Sequence, residues 1–200
     1  MRDFFNYYKW HLFFIGLFVV CIMVFTISSC TKSEPDLIIN CVTTSYVNDQ
    51  TFIDKKGALE DLLHDSNNDK KKVITFNSFT YDLQNDLDEV FLSVATAKDS
   101  DIIMGTKKTF ENFEDKSKFD TVTNFLRDAG SEKYNTLTDD SGRIYAVSLE
   151  GNEFIDLMDF MDATDIYIAV MADDSDDGEL SYNKKNARNI ALYIIKEGIV

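Results

Sequence analysis

The sequence predicts an α/β protein: an N-terminal transmembrane helix followed by a single, mostly parallel-sheet lobe with helices on both faces. Three observations lead there. Residues 12–27, LFFIGLFVVCIMVFTI, carry no charge. Between residues 36 and 105, apolar runs of strand length alternate with stretches whose apolar residues recur every three or four positions. Pro occurs once and Gly 8 times in 200 residues, too seldom for a chain made mostly of linkers.

Counting the uncharged run on through Thr31 gives about 30 Å of helix, roughly the thickness of a bilayer core. A buried core helix normally keeps one polar stripe, and this run keeps none. Tyr7, Tyr8, Lys9, Trp10 and His11 precede it, where aromatic rings and a cation suit the headgroup level. Arg2 and Lys9 lie before the segment and only Lys32 follows closely, a small bias toward an inside N-terminus. The expected organisation is therefore a short cytoplasmic N-terminus (1–11), a membrane helix (12–31), a stem (32–35) and an extracytoplasmic α/β domain (36–200). A second reading shares this address. The tetrapeptide Ile27-Ser28-Ser29-Cys30 resembles the lipobox of bacterial lipoproteins, which implies cleavage and acylation at Cys30. The length of the apolar run favours a retained helix over a cleaved signal. Both readings tether the domain to the outer face of a cell membrane.

The net charge is -15, and the part beyond residue 30 is more acidic still, because removing residues 1–30 takes away two bases and one acid. That balance excludes nucleic acid and anionic lipid surfaces as partners, since phosphate binding needs clustered cations. The cationic cluster Lys70-Lys71-Lys72 precedes an apolar strand and reads as a solvated turn. Cys21 lies mid-span, Cys30 at the border and Cys41 inside an apolar run, so no disulfide framework is expected and Cys41 reads as core.

Pro35 biases the stem toward extended backbone. Residues 36–44, DLIINCVTT, form a continuous apolar run as expected for a strand covered on both faces. Residues 51–63 place Phe52, Leu59, Leu62 and Leu63 at helical spacing, with Asn48 or Asp49 before the first turn as a cap. VITFNSF (73–79) is the next strand. Leu83, Leu87, Val90, Phe91 and Val94 mark an amphipathic helix over 83–97, and DIIMG (101–105) is a short buried strand. This β-α-β-α-β order predicts parallel pairing through right-handed crossovers. In the second half we expect a helix around Phe119, Val122 and Leu126, then a turn at 139–142. Strands at 143–149 and 165–171 follow, with a turn or two of helix between them carrying Phe154, Leu157, Met158 and Met161. A closing helix carries Ala187, Ile190, Ala191, Ile194 and Ile195.

The succession PDLII, helix, strand, helix, DIIMG and then DSGRIYAVSLEGN resembles the first lobe of an extracellular solute-binding protein. The opening NYYKWH before an apolar span and PDL is also similar to small uncharacterised single-pass membrane proteins of Gram-positive bacteria. The solute-binding resemblance implies a third strand ending in a glycine near a ligand cleft, here Gly105, and a strand led in by a turn, here around Tyr145. These two are weak markers of a ligand-side sheet edge. Ser148 stands where the family commonly has Pro. A full binding protein closes two lobes, whereas about 165 residues make one lobe of ordinary size, so a surface is expected rather than an enclosed cleft.

No nucleophile motif, phosphate loop or dinucleotide fingerprint appears, and His64 beside Asp61 and Asp65 reads as a surface residue, so no enzyme is expected. Asp173, Ser175 and Asp177, with Gly178 following, have the spacing of a calcium loop, but Lys184 stands where a bidentate Glu belongs. Asp65, Asn67 and Asp69 make a poorer match, with Lys70 in the glycine position. Weak calcium binding is the most these loops predict, and no other cofactor is expected. The functional expectation is a membrane-tethered module that binds a small ligand or docks a protein partner. The alternatives are a structural component of an envelope complex and a lipidated solute-binding-like protein of a transport system.

Overall fold

The computed structural model describes residues 2–31, 34–43, 47–48, 50–80, 100–111, 113, 115–126, 134–153, 155, 165–172 and 180–197. The chain divides into two units, Met1–Glu34 and Pro35–Val200.

The first unit is one helix, α1 (Arg2–Thr31), of 30 residues. At 100° per residue, Phe13, Phe14, Ile15, Val20 and Met23 point in five directions around its axis, and each is more than half exposed. The helix is thus apolar all round, the pattern of a segment that needs an apolar environment. Among the described residues no helix is long and apolar enough to cross a membrane. The expected span at 12–31 is present as continuous helix within α1.

The second unit is an α/β domain on a six-stranded mixed sheet. Its elements are β1 (Leu37–Thr43), α2 (Gln50–Asp61), β2 (Ile74–Thr80), β3 (Ile102–Thr106), α3 (Lys107–Glu111), β4 (Thr136–Thr138), β5 (Ile144–Ser148), β6 (Ile166–Val170) and α4 (Tyr182–Glu197). The strand order is β2-β1-β3-β6-β5-β4. β1 pairs in parallel with β2 and β3. β6 is antiparallel to both β3 and β5, and β4 is antiparallel to β5. The expectation of a mostly parallel sheet is thus corrected. β3 and β6 are buried at every position, and an apolar run covered on both faces reads the same in either direction.

Alternation along the strands sorts the core onto two faces. On one, Leu37, Ile39 and Cys41 of β1, Ile102 and Met104 of β3 and Ile168 of β6 share a cluster with residues of α2 and α4. On the other, Val42, Ile103, Tyr145 and Ala169 pack with Phe110, Phe113 and Phe119. Each fully buried residue of this size contributes about 1.5–3 kcal/mol.

α2 starts where expected: Asn48 Oδ1 accepts the Gln50 N–H at 3.1 Å, satisfying one of the helix's open donors. Phe52, Leu59 and Leu63 are buried, but Leu62 is left in solvent, because the α-helix ends at Asp61 and the chain tightens onto the Leu59 and Glu60 carbonyls. The helix expected around Phe119, Val122 and Leu126 is instead two short 3-10 turns, Lys116–Lys118 and Val122–Asn124. Asp115 and Asp120 bond nearby backbone N–H groups, a local alternative to the α-helical ladder. β4 was not expected. It is three residues long and joins β5 through a turn held by Asp139, whose carboxylate accepts the N–H groups of Ser141 and Arg143. The closing helix α4 buries all five residues named for it. The helix expected at 83–97 lies outside the described residues, as do Phe154, Leu157, Met158 and Met161.

Candidate functional site at the carboxyl edge of the sheet

β6 is antiparallel to β3 and to β5, so β5 runs with β1, β2 and β3. Four strands therefore deliver their carboxyl ends to one edge, and each ends in a hydroxyl: Thr43, Thr80, Thr106 and Ser148. The register sets Thr43 opposite Thr80 and, one step past the Val42–Gly105 pair, level with Thr106; Tyr167 stands opposite both Gly105 and Ser148, so Ser148 lies one residue short of that level and on the other face of the sheet. Thr43, Thr106 and Ser148 are buried, while Thr80 on the edge strand is exposed. The order β2-β1-β3 turns back at β1, making the crevice between β1 and β3 a topological switch point. Open α/β sheets bind ligands at such points, beyond the carboxyl ends of their strands.

The edge is polar and internally bonded. Thr106 Oγ1 lies 2.7 Å from Thr109 Oγ1 and accepts the Thr109 N–H at 3.2 Å, which starts α3 directly at the strand end. Burial pushes the Tyr167 phenol up. Lys107 and Ser148 work against that shift, Asp165 and Glu150 with it.

Both resemblance markers are packing residues, Gly105 near the carboxyl end of β3 and Tyr145 near the amino end of β5. A Cβ on Gly105 would stand 3.2 Å from the Val42 carbonyl oxygen and 3.6 Å from the Phe110 ring, so glycine allows β1, β3 and α3 to close together. Tyr145 is buried, its ring 5.6 Å from Phe119 and its hydroxyl 3.5 Å from the Phe110 carbonyl. Burial pushes its phenol up to about 12.

The other sequence candidates stand elsewhere. Asp173, Ser175 and Asp177 lie outside the described residues. Lys184, at the end of that spacing, is buried 3.9 Å from Asp120. In the 65–71 turn, Lys70 takes a left-handed φ of 64°, the conformation glycine would supply. Oxygens of Asp65, Asn67 and Asp69 accept the N–H groups of Lys70, Asp69 and Lys71. Among the described residues no group of three His, Cys, Asp or Glu is placed to hold a metal. His64 is exposed and 6.5 Å from the Tyr182 ring. Cys30 lies within α1. Cys41 is fully buried, and desolvation pushes its thiol far up, which leaves it inert.

Two buried polar clusters at the opposite edge escaped the sequence reading. Asp36, fully buried, accepts the Ser66 N–H at 2.7 Å and hydroxyl at 2.8 Å on one oxygen and the Val73 N–H at 2.9 Å on the other. Asn186 of α4 donates to the Asp36 and His64 carbonyls and accepts the His64 N–H. Asp120 takes Arg188 Nε at 2.7 Å and Asn124 Nδ2 at 2.9 Å. Burial pushes the Asp120 carboxyl up, but Arg188, Asn124 and Lys184 together outweigh it and hold the group below its usual range. The sequence signal was present: Asn186 sits on the apolar stripe of α4, four residues before Ile190, and Lys184 three before Ala187.

The fold and edge define an α/β domain in which four strands end together at a topological switch point. Against known proteins, no family model matches the chain, and neither a curated protein nor a solved structure is significantly similar to it.

Proposed function

We propose that the chain is a membrane-tethered extracytoplasmic module that binds a ligand or docks a partner at the carboxyl edge of its sheet, without chemistry of its own. The observation that carries this reading is the set of strand-end hydroxyls at a topological switch point, with Thr43, Thr80 and Thr106 level on one face of the sheet and Ser148 on the other. The resemblance to one lobe of a solute-binding protein supports it. So does the short internal connection from β5 to β6, residues 149–165, which leaves no room there for a facing lobe. A ligand held by one lobe stays partly wet, which suits a weakly bound solute or a protein surface that covers the edge. α1 serves as the anchor, since residues 12–31 carry no charge and the described part is apolar on all sides.

Thermal unfolding of the full chain in detergent, against sugars, amino acids, peptides and candidate envelope proteins, tests the binding reading. A ligand at a hundredfold excess over its Kd stabilises by about 2.7 kcal/mol, which raises Tm by several degrees. The rise is lost in Thr106→Val, which removes an edge hydroxyl at nearly constant volume. A rise that survives in Thr106→Val and Ser148→Ala places the ligand elsewhere. No rise with any ligand favours a structural component of the envelope. The tetrapeptide ending in Cys30 sustains a second reading of the tether, in which the mature chain begins at an acylated Cys30.

A further inference from the structure

We infer that the junction at Asp36 is a force-bearing joint that passes a pull on the stem into the sheet; this rests on the reading of α1 as a membrane anchor. The chain leaves the stem at Pro35 and enters the sheet through β1, an interior strand with neighbours on both sides. Its first residue there is a fully buried aspartate. The carboxylate of Asp36 is gripped by Ser66 and Val73, its N–H donates to the Val73 carbonyl at 2.8 Å, and its carbonyl accepts from Asn186 of α4. Two residues on, Ile38 donates to Asp101 Oδ2 and accepts the Asp101 N–H. Loop 64–73, the segment before β3, and α4 therefore all hold the first turn of chain after the stem.

This geometry decides how the domain yields. A terminus on a surface helix peels one bond at a time. A pull from the stem toward the carboxyl edge runs along β1, so its bonds to β2 and β3 are loaded together, and the Asp36 cluster must break before any of them frays. Hydrogen bonds to a buried carboxylate suit such a joint, because leaving that group unpaired in the interior is costly.

Single-molecule pulling of the full chain at constant force tests the joint, with site-specific handles in two geometries. Handles at residues 34 and 148 load β1 lengthwise, and handles at residues 148 and 197 load α4. In the first geometry Asp36→Ala shortens the lifetime of the folded domain about tenfold, and in the second less than twofold. Asp36→Asn, which keeps one acceptor oxygen, falls between, and stands in if the alanine variant does not fold. Equal shortening in both geometries reduces Asp36 to an ordinary structural residue and overturns the inference. So does a wild-type trace in which residues 35–43 peel away before the sheet breaks. Carbonate extraction of membranes tests the anchor separately: release of the full chain sinks the anchor reading whatever the pulling shows.

Discussion

Asp120 sits between two cations of α4, with Arg188 Nε at 2.7 Å and Lys184 Nζ at 3.9 Å. Removing it leaves buried positive charge uncompensated, so Asp120→Ala should cost about 3 kcal/mol, checked by urea unfolding at neutral pH. The sign with pH follows from its lowered carboxyl. The stabilisation is fully present above the unfolded-state value, near 4, and is lost as pH falls through the lower folded-state value. Wild type should therefore lose stability below about pH 4 more steeply than Asp120→Asn. Gly105 is a second residue whose identity matters. Its missing Cβ leaves the Val42 carbonyl and the Phe110 ring undisturbed, and Gly105→Ala should destabilise by about 1–3 kcal/mol through overpacking, read from the same unfolding curves. Neither role was visible in sequence. Asp120 meets Arg188 across 68 residues and Asp36 meets Asn186 across 150, and no local pattern announces a partner that far away.

At the scale of elements, five of the six described strands were legible because an apolar run of branched residues has few other fates, whereas the three-residue β4 carries no such run. The two faces of β1 and β3 and the buried stripe of α4 followed from periods of two and 3.6. Strand direction was not legible: β3 and β6 are equally apolar, and only their partners decide which way each runs. The turns at 116–124 were misread because the spacing of Phe119, Val122 and Leu126 is helical, while Asp115 and Asp120 spend their oxygens on backbone N–H groups that a helix needs elsewhere. The candidate edge was half legible. Gly105 stands at the carboxyl end of β3, but Tyr145 is the second residue of β5 and packs in the core, and that Ser148 joins the edge depends on β5 running with β1, which only the pairing reveals. α4 lends itself to a direct check. Ile194→Ala empties a site buried between the helix and the sheet, and should cost about 2–5 kcal/mol in denaturant unfolding, whereas Asn189→Ala on its exposed side should change little.

For the whole molecule, the proposed anchor predicts that intact mass spectrometry of membrane-extracted protein finds α1 retained; a species starting at acylated Cys30 would decide for the lipoprotein reading. The position of β6 carries a further consequence. Among the described residues it is the last strand, yet it lies between β3 and β5, so the described sheet stays in two pieces until residues 166–170 have been made. During synthesis the β3 edge waits open, and a closure this remote in sequence is slow. A chain cut after residue 160 should lack cooperative unfolding and be digested rapidly by protease, while the full chain resists. Under the proposed export, a sheet that cannot close before residues 166–170 arrive keeps the chain from locking early into its folded form, and a chain not yet locked is one that can pass through a narrow channel across a membrane.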